Sequence, residues 1–162
     1  MNPKISVIIL NYNGKEFLRD CLISVLKQSY DNFKVILVDN NSTDGSVDFS
    51  KTNFPEVEVI ALNMNYGFVE GNNIGIKYAL EKYNPGYFLL LNNDTKIVHE
   101  DTLKRLIGIA ESDKQTGILG CKLIYPDGRT QDVYAKTTRL SLTGFVSIHP
   151  KEKNYAGDLY KV

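Results

Sequence analysis

Asp94 is the side chain in this sequence best suited to metal chemistry. It is a carboxylate just beyond the apolar run 87–91, behind the two carboxamides of Asn92 and Asn93. A hard divalent cation such as Mg²⁺ needs only one or two protein carboxylates when substrate phosphates complete its shell. The plainer reading of the same residue is a turn or helix-capping aspartate.

Three further polar clusters stand at comparable places. Asn11-Tyr12-Asn13 follows the apolar run 5–10, Asp39-Asn40-Asn41-Ser42-Thr43-Asp44 follows 33–38, and Asn65-Tyr66-Gly67 follows 57–62. Each alone is ordinary turn composition. Together they supply amides, hydroxyls and the carboxylates Asp39, Asp44 and Asp94, and they belong on one edge if the runs are parallel strands, because ligands bind beyond the carboxyl ends of such strands. Gly67, Gly71 and Gly75 fall four apart. That spacing is not the G-x-G-x-x-G fingerprint, so a nicotinamide site is disfavoured, and no P-loop run occurs. Gly75 suits helix–sheet packing, while Gly67 and Gly71 let backbone approach a ligand. His99 and His149 have no nucleophile partner in the pattern and read as surface or turn residues, and Cys21 and Cys121 lack metal-type spacing and read as reduced thiols.

The elements that must position these clusters follow from periodicity. Runs 5–10, 33–38, 57–62 and 87–91 are mostly apolar, the first three rich in β-branched residues and the last in aromatic residues and leucine, as buried strands should be. Between them, 15–28 and 72–82 read as helices, the first through Phe17, Leu18, Cys21, Leu22, Val25 and Leu26 on one stripe. A later helix carries Leu103, Leu106, Ile107 and Ala110, with Glu100 and Asp101 at its positive end. A fifth strand is expected over 118–124, and Pro126-Asp127-Gly128 is a turn. Strands alternating with helices predict an α/β fold with a mostly parallel sheet flanked by helices. Beyond Gly128 the pattern degrades into polar sequence without a clear period.

Composition narrows the class. The 162 residues are 43% hydrophobic and 23% charged, which excludes a disordered chain. Nineteen Lys plus Arg balance nineteen Asp plus Glu, against a protein that binds nucleic acid by neutralising phosphates. No apolar stretch reaches the roughly 18–20 residues of a membrane span, and the first run is too short for a signal peptide, so a cytoplasmic location is expected.

The segments 6–13, 38–46, 65–75 and 91–95 resemble, in the right order, family 2 glycosyltransferases of the Rossmann-like GT-A fold. The Gly-Phe and Gly-Asn-Asn loop of 67–73 and the stretch 120–128 are similar to the rhamnosyltransferase-like subgroup. The resemblance covers roughly residues 4–130. It implies a UDP- or dTDP-sugar donor, a saccharide or lipid-linked saccharide acceptor, and a Mg²⁺ or Mn²⁺ cofactor. By position, Asn11, Tyr12 and Asn13 would line the nucleotide pocket, Asp39 would bond the pyrimidine or its ribose, and Asp44 would support that loop. Asn41, Asn65, Gly67 and Gly71 would complete the donor site, and Asn72 stands where some relatives carry a base-contacting arginine. Asn92-Asn93-Asp94 would replace the family's Asp-x-Asp, with Asp94 holding the metal and Asn92 leaving one fewer negative charge.

The same resemblance implies an inverting transfer that needs a general base. Asp127, Asp132, Glu152 and Asp158 follow Asp94 in no matching motif, so no base is named. The expected organisation is a donor-binding unit over 1–128 and an irregular extension over 129–162 that starts an otherwise missing acceptor half. The alternative is a non-catalytic nucleotide-binding module. Self-association and, for a longer protein, peripheral membrane attachment stay open.

Overall fold

The computed structural model describes residues 2–113, 115–131 and 158–161, the last four by their backbone. Two runs of mostly β-branched and leucine side chains make its centre. β1 (Ile5–Asn11) pairs in parallel with β2 (Phe33–Asp39), with Ile5 opposite Phe33 and Asn11 opposite Asp39. β3 (Glu58–Ala61) adds to the outer side of β2, and β4 (Tyr87–Asn92) to the other side of β1, with Leu10 opposite Asn92. The order is β3-β2-β1-β4, all parallel.

This order demands a reversal. The helices α1 (Lys15–Leu26) and α2 (Ser46–Asn53) carry the chain outward, and α3 (Gly67–Tyr83) returns it across β2 and β1 to β4. The switch therefore falls between β1 and β4, where the connections leave in opposite directions and open a crevice.

Side-chain alternation sorts the core into two layers. Val7 and Ile9, with Val35 and Leu37, pack under Leu18, Leu22 and Val25 of α1 and Leu103 and Ile107 of α4 (Thr102–Ser112). Ile8, Ile36 and Val38 face α3 through Ala79 and Ile76. A Cβ on Gly75 would lie 2.7 Å from Ile8 Cγ2 and 2.8 Å from Val38 Cγ2, so only glycine lets α3 lie this close to the strands. Buried polar groups close the α1–α4 seam: Gln28 Nε2 donates to the His99 carbonyl at 2.9 Å, and its Oε1 accepts from the Leu103 amide at 3.0 Å.

The expected elements are present with shifted limits. α3 begins at Gly67 rather than Asn72, because Asn65 Oδ1 accepts the Gly67 amide at 2.8 Å and Gly67 takes φ +77°, which starts the helix inside the polar cluster. The fifth strand shrinks to β6 (Lys122–Ile124) and leaves the main sheet. It joins β5 (Thr95–Ile97) through β7 (Asp158–Lys161), which runs antiparallel to β5 and parallel to β6. A strand of the polar extension is thus inserted between two strands of the preceding unit. His149, Asp132 and Glu152 lie outside the described residues.

At the far edge of α3, Glu58 gathers three donors. Lys82 Nζ bonds Glu58 Oε1 at 2.7 Å, and the hydroxyls of Tyr78 and Tyr83 donate to its two oxygens. The Lys82 bond first, then the two tyrosines, hold the carboxyl down to about 2. A depressed carboxyl contributes stability that is complete above its unfolded value of about 4.5 and is lost as pH falls through about 2. Glu58→Gln should therefore lower stability most above pH 5 and least below pH 2, as measured by denaturant unfolding followed by circular dichroism at each pH. A pH-independent difference would remove the linkage.

Candidate functional site

The rim of the sheet is built by strand register. Because Asn11 lies opposite Asp39, and Leu10 opposite Asn92, the ends of β2, β1 and β4 stand abreast about 5 Å apart. A cleft of about 360 Å³ opens at the switch, lined by Leu10, Tyr12, Asn40, Asn65, Gly67, Phe68, Asn92, Asn93 and Asp94. The rings of Tyr12 and Phe68 are exposed beside it. Of the residues expected from sequence, Tyr12, Asn65, Gly67, Asn92, Asn93 and Asp94 meet here.

Others do not face the cleft, and alternation explains why. Asn11 and Asp39 have the parity of Val7, Ile9, Val35 and Leu37, so they point into the α1 layer. Asn11 is 0% exposed and Asp39 1%, both beneath the rim. Asp39 Oδ2 accepts from Asn11 Nδ2 at 2.8 Å and Oδ1 from the Ser42 amide at 2.8 Å. Gly71 is buried against Leu10, and Asn72 is buried with its Nδ2 on the Phe68 carbonyl at 2.8 Å. The Asn72 amide nitrogen thus bonds its own helix. Asn41 is exposed and left-handed at φ 67°, a turn role that asparagine tolerates.

Asn13 and Asp44 line a neighbouring groove of about 530 Å³ with Lys15, Glu16, Arg19 and Phe49. Asn13, at φ 48°, clasps the β2 loop: its Oδ1 accepts the Thr43 amide and its own amide donates to Ser42 Oγ, both at 2.8 Å. Asp44 supports two helices. Its Oδ2 accepts the Lys15 amide that opens α1 at 2.9 Å, and its Oδ1 the Ser46 amide that opens α2 at 3.0 Å. Burial alone would push this carboxyl up. The Ser46 hydroxyl and the two helix amides outweigh it and hold the group below its ordinary value.

Sequence reasoning did not single out Asn40, Leu10 or Phe68. Asn40 is the hub of the wall opposite β4. Its Nδ2 donates to Asn65 Oδ1 at 2.8 Å and the Gly67 carbonyl at 3.1 Å, and its Oδ1 accepts the Tyr66 amide at 2.9 Å. The signal was available, because Asn40 has the opposite parity to Asp39 and must face the α3 side.

Asn93 and Asp94 alone connect β4 to β5. Beneath them, Cys21 donates its thiol to the Asn92 carbonyl at 3.7 Å. Burial pushes the Cys21 thiol up to about 12; the Thr95 amide lowers it somewhat and the Asp94 charge adds to the rise. The described cysteines form no disulfide, and Cys121 is only half-buried. A thiol reagent such as DTNB at pH 8 should accordingly modify Cys121 first and Cys21 only at the rate of unfolding. Fast modification of Cys21 in the folded chain would contradict its placement under this turn.

Among the described residues, no three His, Cys, Asp or Glu side chains gather as a metal cage, and no helix is long and apolar enough to cross a membrane. The cleft instead offers one carboxylate, Asp94, with Asn92 and Asn93 in the same lining. These are hard donors and few, a set that fits a divalent ion arriving with ligand oxygens of its own.

Comparison with known proteins agrees with this architecture. The profile of Glycosyl transferase family 2 matches residues 6–160. The O-antigen biosynthesis protein RfbC of Myxococcus xanthus is 31% identical over 150 residues, covering 91% of this chain and 11% of its own length. S. aureus TarS 1–349 in complex with UDP-GlcNAc superposes with a TM-score of 0.67 at 25% identity, over 88% of this chain and 41% of that one. The mannosyltransferase PcManGT from Pyrobaculum calidifontis, in complex with GDP-Man and Mn2+, gives 0.64 at 21% identity, over 75% and 36%. The chain thus spans less than half the length of each of these relatives.

Proposed function

This chain belongs to glycosyl transferase family 2, and from that premise we propose that it binds a nucleoside-diphosphate sugar in the cleft between β1 and β4. The reading extends to a metal-dependent, inverting sugar transfer to a saccharide or lipid-linked acceptor. The observation that carries it is the meeting of Tyr12, Asn92, Asn93 and Asp94 at the topological switch. Support comes from TarS, which carries UDP-GlcNAc, and from PcManGT, which carries GDP-Man and Mn2+. We assign the donor base to a pyrimidine, UDP or dTDP, and the chain to the cytoplasm, where such donors are made. The loop 67–73 supports placing it in the rhamnosyltransferase-like subgroup.

The residues present divide the work. Tyr12 and Phe68 offer exposed ring faces on which a planar base can stack, the way aromatic side chains hold bases elsewhere. Asn40 and Asn65 stiffen the wall beside it through their mutual bond. Asp94, with the amide oxygens of Asn92 and Asn93, would hold a divalent ion against the diphosphate. Such an ion, when bound, supplies charge neutralisation at the departing phosphate oxygens. With one carboxylate in place of two, the chain's own affinity for the ion is low, so ion and nucleotide should bind together.

Among the described residues Asp94 is the only carboxylate lining the cleft. Asp127 is exposed and engaged with Arg129, whose Nε lies 2.7 Å away. A second reading keeps the donor site and makes the chain a non-catalytic nucleotide-binding module.

Calorimetric titration of the chain with UDP, dTDP and NAD, with Mn²⁺ or with chelator, tests the proposal. UDP or dTDP affinity should rise about tenfold or more with Mn²⁺, or about 1.4 kcal/mol. Asp94→Ala should abolish that rise and leave the circular dichroism spectrum intact. An enhancement that survives Asp94→Ala would sink the metal assignment, and binding of NAD alone would sink the donor assignment.

A further inference from the structure

Asn11 is fully buried, yet its carboxamide is used at both ends and only by the two loops that flank the rim. Its Nδ2 donates to Asp39 Oδ2 at 2.8 Å and to Ser42 Oγ at 3.1 Å, while its Oδ1 accepts from Asn93 Nδ2 at 2.6 Å. The β2 loop and the β4–β5 turn therefore share one side chain. A carboxylate at position 11 would repel Asp39 and offer no donor, and a serine would not span the distance. Asparagine carries a two-hydrogen donor and an acceptor on one rigid plane.

Gly14 completes the arrangement. A Cβ there would stand 2.1 Å from Asn93 Nδ2 and 2.9 Å from Asn11 Oδ1, so the Asn93 amide occupies the space that any other residue would fill. Asn93 is held between Asn11 and the bare backbone of residue 14. Since Asn93 and Asp94 are the whole connection between β4 and β5, a shift of Asn93 must carry Asp94 with it.

We propose that Asn11, Asn93 and Gly14 form a positioning clamp that couples the nucleoside end of the donor cleft to its diphosphate–metal end. Asn11 acts through Asn93 and touches no ligand. The inference rests on the donor-binding reading above and deepens it: the clamp is what makes nucleotide and ion bind as one unit. Two loops fixed to the same buried amide lose their freedom together, so ordering one by the base lowers the cost of ordering the other by the ion.

The test uses the chain of residues 1–162 with Gly14→Ala, Asn93→Ala, Asn11→Ala and the Asn11→Ala/Asn93→Ala pair. The readout is the ratio of UDP affinity in saturating Mn²⁺ to that in chelator, beside UMP affinity in chelator and the melting temperature. Gly14→Ala should cut the ratio about fivefold or more while UMP affinity stays within about twofold. Asn93→Ala should cut the ratio as far, and adding Asn11→Ala to it should cut it no further, because both act through one bond. If Asn11→Ala fails to fold, Gly14→Ala, which removes no group assigned to the ion, decides alone. A purely structural role would lower the melting temperature and both affinities alike and leave the ratio unchanged; that result overturns the clamp while the donor reading stands. Wild-type chain that binds neither UDP nor dTDP would overturn the donor reading, and UDP binding without Mn²⁺ enhancement would overturn the metal assignment; the clamp falls with either.

Discussion

The hydrogen bond between the Asn11 carboxamide and the Asp39 carboxylate, buried where two parallel strands end, is the constraint on which the rim depends. A charged group so far from water is tolerable only when its oxygens are bonded. Here one oxygen takes Asn11 and the other the Ser42 amide, which curls the β2 loop back over the strand end. From this curl follow the Asn13 clasp on Ser42 and Thr43 and the seating of Asp44 at the starts of α1 and α2. Removing either partner would leave a buried polar group unmatched, which typically costs about 1–3 kcal/mol, more if charged. Loops far apart in sequence are thereby fixed to each other before any ligand arrives.

That hydrogen bond exists because the sheet is parallel and in register. Ile5 through Asn11 match Phe33 through Asp39 residue for residue, and β4 runs the same way on the other side. The close approach of α3 at Gly75 and Gly71 holds the returning chain flat on β1 and β2, which sets its first turn, with Gly67 and Phe68, against the cleft. Packing glycines and ligand-facing residues therefore share one helix but not one role. Gly71, expected to admit a ligand, instead admits Leu10.

Much of this was legible in the sequence. The apolar runs announced four strands, and the polar residues after them announced one edge. The residue types in a cluster were readable; the direction of each was not, until the alternation of the strand was carried through its last residue. Asn11 and Asp39 continue the parity of Ile9 and Leu37 and so support the rim from below, whereas Asn40 continues that of Val38 and faces the cleft wall. The early start of α3 was hidden because Asn65-Tyr66-Gly67 has turn composition, and the first turn of the helix is made by that same chemistry. β5 was invisible for a different reason: three residues carry no period, and its pairing partner β7 lies some sixty positions away.

Hydrogen–deuterium exchange of the chain, with and without saturating UDP and Mn²⁺, measures the central claim most directly. If the two loops are one coupled rim, the amides that follow β2 and those of the β4–β5 turn gain protection together, and neither gains with Mn²⁺ alone. Protection confined to one loop at saturation, or absent from both, would contradict a common donor-binding edge.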